Sequence, residues 1–166
     1  MMMTSIILLL GSNDSHATEI IEKATLLIGL AIGEVVQQSK DYTSAPYGFS
    51  ADNNFVNRAV EVESDIDAYE LLRRINRIEE GLGRNREEER KISAARGERY
   101  ASRPIDIDII FYGDESYDDD RLTIPYHFLA EREYALRPVA EIAPERKHPA
   151  LSLTPNEMLK HIRTIC

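Results

Sequence analysis

Apolar and polar residues follow two periods along this chain, and each change of period marks an element. Ser5 to Leu10 is an unbroken apolar run closed by Gly11-Ser12-Asn13, the pattern of a central strand buried on both faces and a turn. From Ser15 or Thr18 to about Leu30 the positions Ile20, Ile21, Ala24, Leu27, Ile28 and Ala31 recur at helical spacing, with Thr18 or Ser15 available as a cap. Glu34 to Thr43 starts with Val35-Val36 and turns polar, which predicts a more exposed strand; the Gly, Pro, Asn and Ser of residues 44–53 predict a loop. Phe55 to Glu63 alternates in the manner of a strand. A helix then starts at Asp65 or Asp67 and carries Tyr69, Leu72, Ile75, Ile78, Glu79 and Leu82 at the 3.6 period, with Gly83 as its stop.

Residues 84–102 interrupt this order. They show little sustained periodicity beyond Ala94-Ala95 and are expected to form a long loop, which in a chain of this size is usually functional or mobile. Arg103 to Phe111 follows as a strand of about seven residues, closed by Gly113-Asp114. Beyond it the pattern predicts a turn at Asp118-Asp119-Asp120, room for a short helix in Pro125 to Glu133, a strand or helix over Tyr134 to Ile142, and a capped helix after Thr154-Pro155. Strand, helix, strand, strand, helix, strand is the order of a ferredoxin-like split βαβ, an α+β fold in which helices pack on an antiparallel sheet. One domain over residues 1–166 accommodates it.

Composition narrows the setting. At 166 residues and 43% hydrophobic content the chain can bury a sizeable core, and it has no apolar run near 18 residues. The first ten residues lack the basic n-region and longer apolar stretch of a signal peptide. Cysteine occurs only at Cys166, so no internal disulfide or cysteine metal site arises, and a cytoplasmic protein is the expectation. The net charge of −9 argues against general nucleic-acid binding, yet Arg84 to Arg103 holds seven basic residues against four acidic ones. A basic island in an acidic chain suits a compact polyanion.

Next to that island stand Asp106 and Asp108. Side chains alternate along a strand, so these two project from one face while Ile105, Ile107 and Ile109 project from the other. Like charges so close repel, and a hard divalent ion such as Mg²⁺ relieves this while leaving coordination positions for water and phosphate oxygens. An alternating strand with its polar face in water is the plainer alternative for D-x-D alone. Aromatics in the 44–53 loop are candidates for stacking on a flat ligand.

The motifs Leu10-Gly11-Ser12-Asn13, Phe55-Val56-Asn57-Arg58-Ala59-Val60, Arg77-Ile78-Glu79, Gly83-Arg84-Asn85-Arg86, Arg103-Pro104-Ile105-Asp106-Ile107-Asp108-Ile109, Arg121-Leu122-Thr123-Ile124-Pro125, Glu141-Ile142-Ala143-Pro144 and His148-Pro149 occur in order over nearly the whole chain. In this the chain resembles the 6-hydroxymethyl-7,8-dihydropterin pyrophosphokinase family of folate biosynthesis. The resemblance implies a ferredoxin-like fold and transfer of pyrophosphate from ATP, the co-substrate, to the pterin's hydroxymethyl oxygen, with AMP leaving. It implies that Asp106 and Asp108 hold two Mg²⁺ ions, and that Arg84, Arg86 and Arg103 lie in or beside a mobile loop over ATP. Arg86, Arg103 and the two aspartates would be the catalytic set. Glu79, Arg121, Thr123 and Arg132 would belong to the nucleotide site, with Tyr126 and His127. Asn57 would read the pterin edge between Phe55 and Tyr134, with Ser44, Ala45, Pro46 and Tyr47 as loop contacts and Tyr100 where the family has a tryptophan. Partners would be small molecules, neither nucleic acid nor membrane, acting on a monomer, with a dimer left open.

Three departures stand out. The Tyr126-His127 order displaces by one position the histidine that the family places directly after Ile-Pro, and in an extended segment one step turns a side chain to the opposite face. Tyr100 offers less stacking surface than tryptophan. The 86–103 segment is longer than usual, with Glu87-Glu88-Glu89 and Ile92 to Ala95 added. A non-catalytic pterin- or nucleotide-binding relative is therefore the alternative. An RNA-binding module of the same fold is disfavoured by the charge of −9 and the lack of aromatic RNP-type strands.

Overall fold

The computed structural model describes residues 2–45, 53–98 and 103–165, with backbone only for the last two of these. Its elements run β1 (Thr4–Ser12), α1 (Ala17–Ala31), β2 (Glu34–Gln38), β3 (Tyr42–Ser44), β4 (Phe55–Ser64), α2 (Ala68–Gly81), α3 (Arg86–Arg96), β5 (Asp106–Tyr112), β6 (Tyr117–Asp118), β7 (Thr123–Ile124), a 3₁₀ turn (Leu129–Glu131), α4 (Glu133–Ile142) and α5 (Pro155–Ile165). The main sheet has the order β2-β4-β1-β5, with β3 also paired to β4, and every pairing is antiparallel. This is the ferredoxin-like arrangement the element order predicts. No helix among the described residues is long and apolar enough to cross a membrane.

The unbroken apolar run of β1 follows from its central place. Ile6, Leu8 and Leu10 face α1 and α2 in one core, while Ile7 and Leu9 face α4 and α5 in a second core on the opposite side of the sheet. A strand covered on both faces has no polar side to alternate with. β5 obeys a different rule. Its register against β1 slips between Ile7 and Leu8, which pair with Phe111 and Ile109, so Ile110 is a bulged residue. Before the bulge, Ile105, Ile107 and Ile109 enter the first core. After it, Tyr112 joins them while Ile110 and Phe111 both enter the second, so one strand presents carboxylates and then core residues on the same face.

Several expectations need correction. Residues 84–102 are not a loop throughout, since α3 fills their first half. None of its residues is buried, so no apolar stripe announces it. Its stability comes from its ends: the Asn85 side chain accepts from Glu88 N, and Gly97 closes it with a left-handed φ of 66°. The single strand expected over Glu34 to Thr43 is two, β2 and β3, both paired to β4. β1 continues through Gly11 and Ser12, where a turn was expected. His16, not Ser15 or Thr18, occupies the cap position of α1, without a side-chain cap bond. Two open alternatives are resolved as expected: Asp67 and not Asp65 caps α2, accepting from Glu70 N at 2.8 Å, and Tyr134 to Ile142 is helix and not strand, despite Pro138.

Candidate active site

A cavity of about 780 Å³ opens where the ends of β1, β4 and β5 meet α3 and the segment from Tyr126 to Tyr134. Its floor is a row set by strand register: Asn57 of β4, Gly11 of β1 and Asp106 of β5 are direct cross-strand neighbours, and Asp108 pairs with Leu9 one row behind. The row continues the face of the second core. Gly11 keeps the floor open because a Cβ there would lie 2.8 Å from Asn57 Oδ1, displacing that amide.

The α2–α3–β5 flank is built from charge. Asp106 accepts from Arg84 Nη1 at 2.8 Å and from Arg103 Nη2 at 3.4 Å. Arg84 also meets Glu79 at 2.9 Å and Glu89 of α3 at 3.1 Å. Glu79, 1% exposed, bonds Arg86 as well and accepts the β5 backbone N–H of Ile107 at 2.8 Å. Helix periodicity puts Glu79 on the sheet-facing side of α2, and an otherwise unsatisfied buried carboxylate finds three donors there.

These partners decide the charge states. Burial opposes ionisation of Asp106, but Arg103 and Arg84 hold its carboxyl below the usual range. Asp108 is raised well above it by burial and by the adjacent Asp106 charge, which the arginines only partly offset. Glu79 is raised by burial and Asp106 against the pull of Arg84 and Arg86. For Arg84, burial is outweighed by Asp106, Glu79 and Glu89, which keep it firmly charged. The carboxylate pair is thus under-compensated at Asp108.

The opposite flank is aromatic and mostly neutral. Phe55 lies under the Arg103 guanidinium at 5.4 Å, and Asn57 Nδ2 donates to Ser44 Oγ at 3.1 Å. Tyr126 and Tyr134 bring their hydroxyls to 3.3 Å, and both phenols are raised chiefly by burial, with Asp108 adding to it. Arg132 lies 4.5 Å over the Phe128 ring.

Among the residues expected from sequence, Ser44, Ala45, Phe55, Asn57, Arg84, Arg86, Arg103, Asp106, Asp108, Tyr126, Arg132 and Tyr134 line this cavity. Glu79 stands directly behind it. Arg121, Thr123 and His127 do not line it: Arg121 packs over Tyr69 at 5.0 Å, Thr123 is exposed on β7, and His127 is exposed with its ring against Phe128. Pro46, Tyr47 and Tyr100 lie outside the described residues. Phe128, Gly11, Glu89, Arg90 and Ser93 line the cavity without having been expected there. A glycine inside an apolar strand run was the readable signal for Gly11; Phe128 had none.

Fold and site define a ferredoxin-like protein whose cleft sets a carboxylate pair and arginines against an aromatic wall, fit for a polyphosphate beside a flat ring. The family model described as 7,8-dihydro-6-hydroxymethylpterin-pyrophosphokinase (HPPK) matches residues 7–144, and the chain belongs to that family. It is similar to the 2-amino-4-hydroxy-6-hydroxymethyldihydropteridine pyrophosphokinases of Methylorubrum extorquens (35% identity; 86% of this chain, 85% of the relative) and Bacillus subtilis (31%; 86% and 80%). The fold matches the crystal structure of an HPPK-DHPS in complex with substrates, at TM-score 0.75 and 16% identity over 99% of this chain. Plasmodium falciparum HPPK-DHPS matches at TM-score 0.76 and 18% identity over 96%. This chain spans 44% of each of those two longer chains.

Proposed function

We infer that this protein transfers a pyrophosphoryl group from ATP to the hydroxymethyl oxygen of 6-hydroxymethyl-7,8-dihydropterin, releasing AMP, within folate biosynthesis. The observation that carries the chemistry, beside family membership, is the Asn57–Gly11–Asp106 row: a ring-reading amide and a charge-handling carboxylate on one floor. The pterin oxygen forms its bond to the β-phosphorus as the bond from that phosphorus to the AMP oxygen breaks. Such transfers depend on positioning and on neutralising charge.

Phe55 and Tyr134 hold the ring by offset stacking, Asn57 reads its hydrogen-bonding edge, and Ser44 fixes the amide of Asn57. Pro46, Tyr47 and Tyr100 belong to the same proposed pterin site by family resemblance. Arg84, Arg86 and Arg103 take the phosphate oxygens through planar forks of donors. Arg84 and Arg103 bond Asp106 here, so they exchange a carboxylate for phosphate when nucleotide arrives. Arg121, Thr123 and His127, outside the cavity, are left to the nucleoside end.

The site fits Mg²⁺. Asp106 and Asp108 are hard oxygen donors on one face, and the raised Asp108 carboxyl marks repulsion that a divalent ion relieves. Among the described residues no group of three or more His, Cys, Asp or Glu side chains gathers to hold a metal; Asp106 and Asp108 would be the protein's ligands, and a hard cation of this kind also accepts water and phosphate oxygens. Asp106 and Asp108 would hold the two ions expected from the family resemblance, which would neutralise triphosphate charge. A cytoplasmic protein acting on small molecules follows from this reading.

Incubation with ATP, Mg²⁺ and the hydroxymethyl pterin tests it, with AMP release expected. The outward turn of His127 favours one rival, a binding protein without turnover. Calorimetry showing tight binding of both ligands without AMP release would establish that rival instead.

A further inference from the structure

Phe128 stands in the cavity wall with no role assigned by the foregoing. Its position is well determined by backbone bonds. Tyr126 N donates to Ile110 O at 3.1 Å, tying the segment to the bulge of β5. Leu129 N donates to Tyr126 O at 3.1 Å, and Glu131 N to Phe128 O at 3.0 Å. Leu129 plugs into the second core at 1% exposure, so the turn cannot slide without emptying a core site. Tyr126 and Phe128 both line the cavity while His127 between them is exposed.

Arg132 is fixed from the other side. Its carbonyl accepts from Ala135 N and Leu136 N at the start of α4, and its residue exposure is only 9%. Its guanidinium carbon lies 4.5 Å over the Phe128 ring, close enough for the ring's negative face to attract it. The Tyr126 ring meets Phe128 edge-on at 6.1 Å, bracing the platform. A ring packed on one side of a long side chain at a helix start excludes part of its rotamer range.

We propose that Phe128 is a positioning residue for ATP binding: its ring holds the Arg132 guanidinium in the cavity wall opposite Arg84 and Arg103, ready for a phosphate oxygen. This rests on the pyrophosphokinase reading and assigns the Arg132 side of that site to the phosphate chain. Arginine preorganised over an aromatic face loses less entropy on engaging phosphate than one that must be ordered at binding.

The test is calorimetry of a non-hydrolysable ATP analogue with Mg²⁺ on Phe128→Leu and Phe128→Tyr, followed by titration of the hydroxymethyl pterin at saturating analogue. Leucine keeps the apolar bulk and loses the π face; tyrosine keeps both. Phe128→Leu is expected to weaken the analogue about 3- to 10-fold, the range of a partly desolvated cation–π contact, with pterin affinity held. Phe128→Tyr restores affinity to within about twofold, and in an Arg132→Met background the leucine change has no further effect, as expected when two residues act as one unit. Analogue binding by Phe128→Leu equal to wild type overturns the proposal, as does an equal loss for both ligands, which marks a structural role only. Wild-type protein that binds neither ligand brings down the functional reading together with it. AMP release by wild type together with wild-type analogue affinity in Phe128→Leu overturns this inference alone.

Discussion

The two flanks of the cavity solve opposite problems. On the α2–α3–β5 side, three acidic groups (Glu79, Glu89, Asp106) meet three arginines (Arg84, Arg86, Arg103) in a shared network beside Asp108, and Arg84 alone contacts all three of those carboxylates. On the β3–β4 and α4 side, Phe55, Tyr126, Phe128 and Tyr134 form a wall whose hydrogen bonds join neutral groups, such as Asn57 with Ser44 and the two tyrosine hydroxyls, and whose Phe55 and Phe128 rings lie under the guanidinium groups of Arg103 and Arg132. The first flank is adjustable, because an arginine holding several carboxylates can exchange one for phosphate at little change in charge count. The second is rigid, because Phe55 and Tyr134 sit in a strand and a helix, and the backbone bonds of the Tyr126–Phe128 turn fix the other two rings. One flank fits a flexible polyanion; the other fits a flat heterocycle at Phe55, Asn57 and Tyr134 and offers Arg132 to the polyanion.

Substitutions that separate the flanks test this contrast. The largest effect is expected on the charged side: Asp106→Ala or Asp108→Ala should cut AMP release on the order of 10³-fold in a steady-state assay, as losing a preorganised electrostatic partner does. Near-unchanged turnover from either would remove that aspartate from the metal role. Glu79→Ala should act on the fold as well as the site, since it strands the buried Ile107 N–H and removes one of the carboxylates that hold Arg84. A loss of about 3 kcal/mol in urea unfolding is expected for a broken buried pair, and a loss under 1 kcal/mol would show that the network does not bear on the fold.

Smaller effects are expected on the neutral side. Asn57→Ala should weaken the pterin about tenfold, the cost of one unmade recognition bond, with binding of the ATP analogue retained. Equal weakening of both ligands would dissolve the distinction between the flanks. The smallest effect lies outside the cavity. His148 Nδ1 accepts from Ala150 N and Leu151 N at 3.1 Å each, and burial lowers its pKa in the fold. The neutral form is favoured when folded, so stability is full above the unfolded value of about 6.5 and declines as pH falls from there toward the lower folded value. Urea midpoints from pH 7.5 to 5.5 should fall for wild type and flatten for His148→Gln. Parallel slopes would show that the imidazole is not responsible.

Much of this architecture was legible along the chain. The run from Ser5 to Leu10, the alternation of Phe55 to Glu63 and the helical stripe from Tyr69 to Leu82 each bury a face whose period survives in sequence. Asp106 and Asp108 were placed on one face by the same rule. α3 was not legible by periodicity because it buries none of its residues; Asn85 with Glu88 and the later Gly97 were its only local marks. The β2–β3 break within Glu34 to Thr43 was hidden because both pieces pair with β4, and only pairing reveals where one strand stops and another starts.

For this protein the sequence by itself determined the split βαβ order of the main strands and helices, the burial of β1 and the carboxylate pair, and its ordered motifs pointed to the family. The elements and the pair depend on residue type and on periods of two and 3.6, which are local. Tertiary structure decided that Gly11 is cavity floor, that Glu79 is a buried anchor for Arg84 and Arg86, that the Ile110 bulge reassigns the end of β5, and that Phe128 faces the cavity while His127 turns outward. Each of those depends on cross-strand register or on contacts between distant segments, and a slip of one residue in either reverses which side chain faces the site.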